Sequence, residues 1–187
     1  MAYPITKFWF YPLCRILLRK VKGMENIPKN TNFIIASNHE HLIDPLYIIY
    51  AVLRKLNKKV HFLSTGRWRF LGETFCRQWA GTIPLFNKKQ AYEDSKNLIS
   101  SGEIIGIFPE GGLKKTKHPK TGAVRLALET GIPILPIALK SSYIPFNSEI
   151  RIGKLIYFKN NKNIKKQTID LMRQVYRLRN WIFQKVI

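Results

Sequence analysis

An imidazole and a carboxylate stand five positions apart in the stretch Asn38-His39-Glu40-His41-Leu42-Ile43-Asp44-Pro45, directly after the apolar run Phe33 to Ala36. A histidine whose ring is fixed by a carboxylate is a hydroxyl-activating base: the carboxylate sets tautomer and orientation, and the free ring nitrogen takes the proton. The spacing does not suit one helical face, so His39 and Asp44 meet through a turn, with His39 leaving a strand and Asp44 starting a helix. Taken alone, the same residues also read as a polar loop histidine followed by a helix N-cap, Asp44 before Pro45, a role worth about 1 kcal/mol and compatible with catalysis. A second stretch, Phe108-Pro109-Glu110-Gly111-Gly112 followed by Leu113-Lys114-Lys115-Thr116-Lys117, sets a carboxylate, two glycines and three lysines within ten residues. Glycines let backbone N–H groups approach a ligand, and lysines supply point charges for phosphate. An ordinary glycine turn with solvated lysines has the same composition.

Other chemistries find less support. Alternate histidines such as His39 and His41 ligate zinc in some hydrolases, but that pattern needs Asp at position 43 and His at position 44, where this chain has Ile43 and Asp44, and only His61 and His118 remain elsewhere. No metal site is expected. There is no Gly-x-Ser-x-Gly elbow, and neither cysteine has a neighbouring base, so a covalent acyl-enzyme is disfavoured. A phosphate-binding P-loop and a dinucleotide fingerprint are both missing, so ATP and NAD chemistry lack their usual cradle.

These residues need a scaffold that brings separate loops to one edge. Phe33 to Ala36 reads as a short strand buried on both faces, delivering Asn38 and His39 at its C-terminal end, and Pro45 to Lys55 has helical character. Val60 to Ser64 reads as a strand, Trp68 to Trp79 as an amphipathic helix, Thr82 to Phe86 as a short strand, and Asn87-Lys88-Lys89 as a polar turn. Ala91 to Ser100 is a helix closed by Gly102, and Glu103 to Phe108 is a buried strand ending in Pro109-Glu110-Gly111-Gly112. Thr121 to Thr130 is helical and stops at Gly131; Pro133 to Leu139 and Ile150 to Phe158 are strands; Ile164 to Lys185 is a long basic helix. Strands alternating with helices predict an α/β fold with a mostly parallel central sheet, helices on both faces, and a site at the strand C-termini.

A chain of 187 residues, 45% hydrophobic and 12% aromatic, has material for one such domain. With 32 Lys and Arg against 11 Asp and Glu, its formal charge is +21, which predicts attraction to a polyanion or an anionic surface. Residues 151 to 187 hold ten Lys or Arg and a single acid, Asp170. A nucleic-acid-binding module would use that charge, with affinity falling steeply in salt, but it accounts for neither loop and no specific nucleic acid is expected. Cys14 and Cys76 lack any paired spacing, so a reducing compartment is the default. Tyr3 to Lys22 mixes Phe8, Trp9, Phe10, Leu13, Ile16 and Leu17 with Lys7, Arg15, Arg19 and Lys20, a composition suited to a bilayer interface, and equally to a first helix docked on its own core. Residues 1–22 are therefore expected to form an amphipathic interfacial segment and 23–187 the catalytic domain. No apolar run approaches the roughly 18 residues of a spanning helix.

Together the loops resemble the glycerolipid acyltransferase family, which includes the lysophosphatidic acid acyltransferases. Asn38-His39-x-x-x-x-Asp44-Pro45 is similar to the family's catalytic block, and Phe108-Pro109-Glu110-Gly111 to its Phe-Pro-Glu-Gly block. Gly81-Thr82-Ile83-Pro84 resembles the start of the second block and Ile132-Pro133-Ile134-Leu135-Pro136 the fourth, so the likeness runs from about Gly23 to Leu139. It implies transfer of a fatty acyl group from acyl-CoA or acyl-carrier protein, as co-substrate and without a further cofactor, to a lysoglycerolipid hydroxyl, lysophosphatidic acid above all. In that reading His39 is the base, Asp44 holds its ring, Glu110, Gly111 and Gly112 position the acceptor head group, and Lys88, Lys89, Lys114 and Lys115 contact anionic groups. It also implies residence at the cytoplasmic face of a membrane as a peripheral or monotopic protein. Two departures concern phosphate: the family's arginine after the second block is replaced by Asn87-Lys88-Lys89, and its Glu-Gly-Thr-Arg by Glu110-Gly111-Gly112-Leu113. Lysine neutralises phosphate but lacks arginine's bidentate fork, which opens the way to a different lysolipid acceptor, or to a basic membrane-binding protein without turnover.

Overall fold

Runs of isoleucine without polar alternation form strands covered on both sides, because stiff β-branched side chains pack well from either face of a pleat. The computed structural model describes residues 6–64, 81–113, 118–159 and 163–183. In chain order its elements are α1 (Thr6–Leu17), β1 (Leu18–Lys22), β2 (Ile34–Ser37), α2 (Asp44–Leu53), β3 (Val60–Ser64), β4 (Thr82–Pro84), α3 (Lys88–Ser100), β5 (Ile104–Ile107), α4 (Gly122–Thr130), β6 (Ile134–Lys140), β7 (Ser148–Ile152) and α5 (Ile164–Phe183). The expected helix Trp68 to Trp79 lies outside the described residues.

Among the described residues the sheet has seven strands in the order β1-β7-β6-β2-β5-β3-β4. Every neighbouring pair is parallel except β6 and β7, which are antiparallel. That exception follows from connection length: residues 141–147 suffice for a hairpin, whereas a parallel return needs a crossover. β2 is central, between β5 and β6.

Alternate residues of the strands feed two cores. Ile35, Leu135, Ile137 and Leu139 join Phe10 and Cys14 of α1 and Tyr47, Ile48, Ala51 and Val52 of α2. Ile34, Ala36, Ile105, Ile107 and Ile134 face the other way, against Ala91 and Ile99 of α3, Val124 and Ala127 of α4 and Leu171 of α5. Helices thus cover both faces of a mostly parallel sheet, the expected α/β architecture.

Three differences from the sequence expectation exceed the usual scatter of one or two residues at element ends. Leu18–Lys22, inside the segment assigned to an interface, pairs in parallel with β7 and is an edge strand of the sheet. Helix α3 begins three residues earlier than Ala91, because the Asn87 side chain accepts hydrogen bonds from the N–H groups of Lys89 and Gln90 (3.0 and 3.2 Å) and caps it. The run from Ile150 breaks at Gly153, where α5 packs so closely that a Cβ would lie 2.8 Å from Leu178 and 2.9 Å from Pro136; Ile156 then rejoins the sheet opposite Ile134. Among the described residues no helix is long and apolar enough to cross a membrane.

Candidate active site

The C-terminal ends of β2, β5 and β6 lie side by side, and the loops that leave them build one cleft. Asn38, buried just past β2, donates to the Leu139 carbonyl and accepts from the Leu139 N–H, both at 2.8 Å, so it continues the β2–β6 pairing beyond the strand and fixes where the loop departs. The next residue, His39, donates its backbone N–H to Glu110 Oε2 at 2.7 Å.

Asp44 turns back into this loop. Its buried Oδ2 accepts from His39 Nδ1 at 2.9 Å, from the Glu40 N–H at 2.6 Å and from the His41 N–H at 2.9 Å. A carboxylate is an acceptor, so Nδ1 carries the ring proton and Nε2 keeps its lone pair. The structure corrects the N-cap assignment: Ile43 is the N-cap, no side chain caps the helix, and Asp44 sits in its first turn. A cap reaches forward to N–H groups of its own helix, whereas this carboxylate gathers the N–H groups behind it, because a turn closed by the Asp44 N–H on the His41 carbonyl (3.1 Å) folds the loop over it.

An aromatic stack sets the tilt of the imidazole. His39 lies on Phe108, with ring centroids 4.1 Å apart and planes 14° from parallel, and Phe108 lies on Phe62 at 5.4 Å and 15°. Phe62 in turn fills the space over Gly106, where any Cβ would overlap its ring. The glycine inside the Ile-Ile-Gly-Ile strand is the sequence signal for this close approach.

The cleft has a volume of about 350 Å³ and is lined by Asn38, His39, Glu40, His41, Glu110 and Leu113, enough for the reacting end of a small ligand. Glu110 is buried, and both its oxygens are engaged by the protein: Oε2 by His39 N–H, Oε1 by the Tyr176 hydroxyl of α5. Burial, and then the hydrogen bond to Glu110, push the Tyr176 phenol above its usual range, so it stays a donor. Glu40 pairs with Arg179, also on α5, and accepts from the Ser141 N–H at 3.3 Å. His41 Nδ1 hydrogen-bonds Ser141 Oγ at 2.8 Å, and its ring meets Tyr143 edge-on at 5.0 Å. Among the described residues no three His, Cys, Asp or Glu side chains gather in a way that could hold a metal ion.

The remaining sequence-derived site residues are placed as follows. Gly111 adopts a φ of 72°, open to glycine, and its N–H donates to the Phe108 carbonyl at 3.0 Å, closing the loop; around Gly112 there is open space. Lys88 and Lys89 are exposed in the first turn of α3, after β4, which stands three strands from β2, roughly 14 Å at usual strand spacing. They do not line the cleft. Lys114 and Lys115 lie outside the described residues. Tyr176, Arg179 and Ser141 carry no motif, and sequence reasoning missed them.

A family model described as Acyltransferase matches residues 18–140. The chain is 33% identical over 129 residues to a Borreliella burgdorferi protein named 1-acyl-sn-glycerol-3-phosphate acyltransferase, covering 64% of this chain and 50% of that one. A Bacillus subtilis protein of the same name is 28% identical over 130 residues, covering 64% of this chain and 61% of that one. The chain spans about half the length of the curated relatives it matches. The crystal structure of a Thermotoga maritima 1-acyl-sn-glycerophosphate acyltransferase superposes with a TM-score of 0.70 at 23% identity, covering 93% of this chain and 75% of that one, a likeness of fold.

Proposed function

The chain belongs to the acyltransferase family, and we propose that its reaction moves a fatty acyl group from acyl-CoA or acyl-carrier protein to the free hydroxyl of a lysoglycerolipid, with lysophosphatidic acid, giving phosphatidic acid, as the first acceptor to test. The observation that carries this reading is the contact between Asp44 Oδ2 and His39 Nδ1, which leaves Nε2 as the basic atom of a residue that lines the cleft. His39 Nε2 takes the proton of the acceptor hydroxyl as its oxygen attacks the thioester carbonyl. The tetrahedral intermediate then expels the thiolate, which takes the same proton from the imidazolium. Asp44 stabilises the imidazolium between the two steps, and a base so placed contributes roughly 10²- to 10⁴-fold. The acceptor's name in the relatives supports lysophosphatidic acid.

The acceptor lives in a bilayer, and an apolar surface beside the cleft supports docking there. Helix α1 buries Phe10 and Cys14 but exposes Trp9, Leu13 and Ile16. Its last turn is tied to the β6–β7 loop by the Phe146 N–H donating to the Ile16 carbonyl at 2.8 Å, and that loop exposes Tyr143, Ile144 and Phe146. Tyr47 and Ser148 pin the base of the loop through the Ser142 carbonyl, at 2.7 and 3.0 Å. With a formal charge of +21, such a surface fits an anionic membrane, and the anionic lipids of a cytoplasmic leaflet suit it.

The test is product mass spectrometry on purified protein with a panel of lysolipids and both donor types. We expect an ester product with at least one acceptor and, in His39→Ala, a loss of at least about 100-fold. Absence of any ester product across the panel with both donors overturns the reading.

A further inference from the structure

We infer that α5, which lies beyond the residues matched by the family model, belongs to the active site: Tyr176 and Arg179 are positioning residues that hold the His39 loop through Glu110 and Glu40. The two side chains sit three positions apart and so project from one face of the helix. Each takes one carboxylate of the cleft. The Tyr176 hydroxyl donates to Glu110 Oε1, and Glu110 Oε2 accepts the His39 backbone N–H at 2.7 Å, so the hydroxyl, the carboxylate and the peptide of the base form one continuous chain. Arg179 pairs with Glu40, whose own N–H donates to Asp44 Oδ2 at 2.6 Å. One clamp therefore bears on the base and the other on the residue between the base and its carboxylate partner.

Burial separates these contacts from the exposed ion pairs within α4 and α5. The Arg179 and Glu40 side chains are 17% and 22% exposed, against 62% and 36% for Arg125 and Glu129 and 66% and 48% for Arg173 and Asp170. Solvated pairs of the latter kind contribute little, whereas a largely covered pair is expensive to break because its partner is left charged and dry. The helix that carries the clamps is itself immobilised on the sheet. Met172 and Val175 pack on Ala138 of β6, and Leu178 closes on Gly153 with no room for a methyl group. A proton-transfer base must be held to within about 0.5 Å of its productive geometry, and the His39 loop, held also by Asp44, Asn38, Ser141 and the Phe108 ring, receives two further contacts from α5.

For its kinetic consequences this inference rests on the acyl-transfer reading, so the test has one arm that does not. In the full-length protein, Tyr176→Phe and Arg179→Met should each lower kcat about tenfold or more while KM for the acceptor changes less than about twofold, with Arg179→Lys recovering part of the loss. Tyr176→Phe should cost little further in a Glu110→Gln background, since it acts through Glu110. In the second arm, amide hydrogen exchange by NMR should show His39 N–H exchanging about tenfold faster or more in Tyr176→Phe, with the β5 and β6 amides of Ile105 and Leu135 unchanged as a check on folding. Unchanged His39 exchange overturns the inference, as does a raised KM with unaltered kcat, which would make Arg179 a substrate contact. Should the wild-type protein transfer no acyl group at all, the acyl-transfer reading fails by itself and the exchange measurement still decides whether α5 holds the loop.

Discussion

The His39 imidazole rests on the Phe108 ring at 4.1 Å, nearly parallel to it. The residue that opens the second loop of the cleft is thus the floor under the base supplied by the first. Chemistry and packing are coupled at this point, because Phe108 rests on Phe62 and Phe62 rests on Gly106.

Substituting Gly106→Ala should therefore act at a distance. The new methyl group overlaps the Phe62 ring, and the shift passes to Phe108 and His39. We expect a loss of stability of about 1–3 kcal/mol, typical of overpacking, together with reduced acyl transfer at temperatures where the protein remains folded. Urea denaturation and initial rates check this; a variant as stable and active as wild type would show that the stack yields freely.

Asp44→Asn separates the structural from the electrostatic role of the carboxylate. The amide oxygen can still accept from the Glu40 and His41 N–H groups, so the loop should survive, while tautomer control and imidazolium stabilisation are lost. The expected result is a kcat lower by roughly 10²- to 10⁴-fold with a melting temperature close to wild type. Retention of full activity would refute the assigned partnership.

His61 should give the fold an acid sensitivity of its own. Burial lowers its pKa below the ordinary imidazole range, with Glu103 opposing the shift, so the ring is neutral in the folded protein at neutral pH. The unfolded chain binds the proton more readily, and the contribution of this residue is fully present above about pH 6.5 and lost as pH falls towards the depressed folded value. Comparing urea midpoints at pH 7.5 and 5 in wild type and His61→Gln isolates it: the variant should lose less stability on acidification. Equal losses would remove His61 as the cause.

Cys14 offers a check on the docking of α1. Burial against the core pushes its thiol up to about 12, so little thiolate exists at neutral pH. In a Cys76→Ser background the folded protein should resist maleimide at pH 8 and react fully in urea. Rapid labelling without denaturant would mean that α1 detaches from the sheet.

Membrane docking predicts two cooperating patches. Replacing Trp9, Leu13 and Ile16 by serine, or Tyr143, Ile144 and Phe146 by serine, should each reduce flotation with anionic vesicles by several-fold or more, and neutral vesicles should bind less well than anionic ones. Flotation unaffected by both triple substitutions would end the proposal.

The alternation of isoleucine-rich runs with amphipathic stretches was enough to determine the parallel sheet with helices on both faces, since each strand and helix advertises its burial in local periodicity. That His39 and Asp44 could meet through a short turn was legible too, beside the competing reading of Asp44 as an N-cap. What lay beyond the sequence is what joins distant segments. Strand order placed Leu18–Lys22 at the sheet edge beside β7 and kept Lys88 and Lys89 away from the cleft. Asp44 looked like a helix cap until the fold of the loop turned its carboxylate backwards. Glu110 lines the cleft as expected, but the groups that fix its carboxylate, His39, 71 positions away, and Tyr176, 66 positions away, come together only in the fold. Residue type and spacing encode which groups can do chemistry. Which groups hold them depends on long-range packing of α5 on the sheet, and no local pattern in the chain specifies that contact.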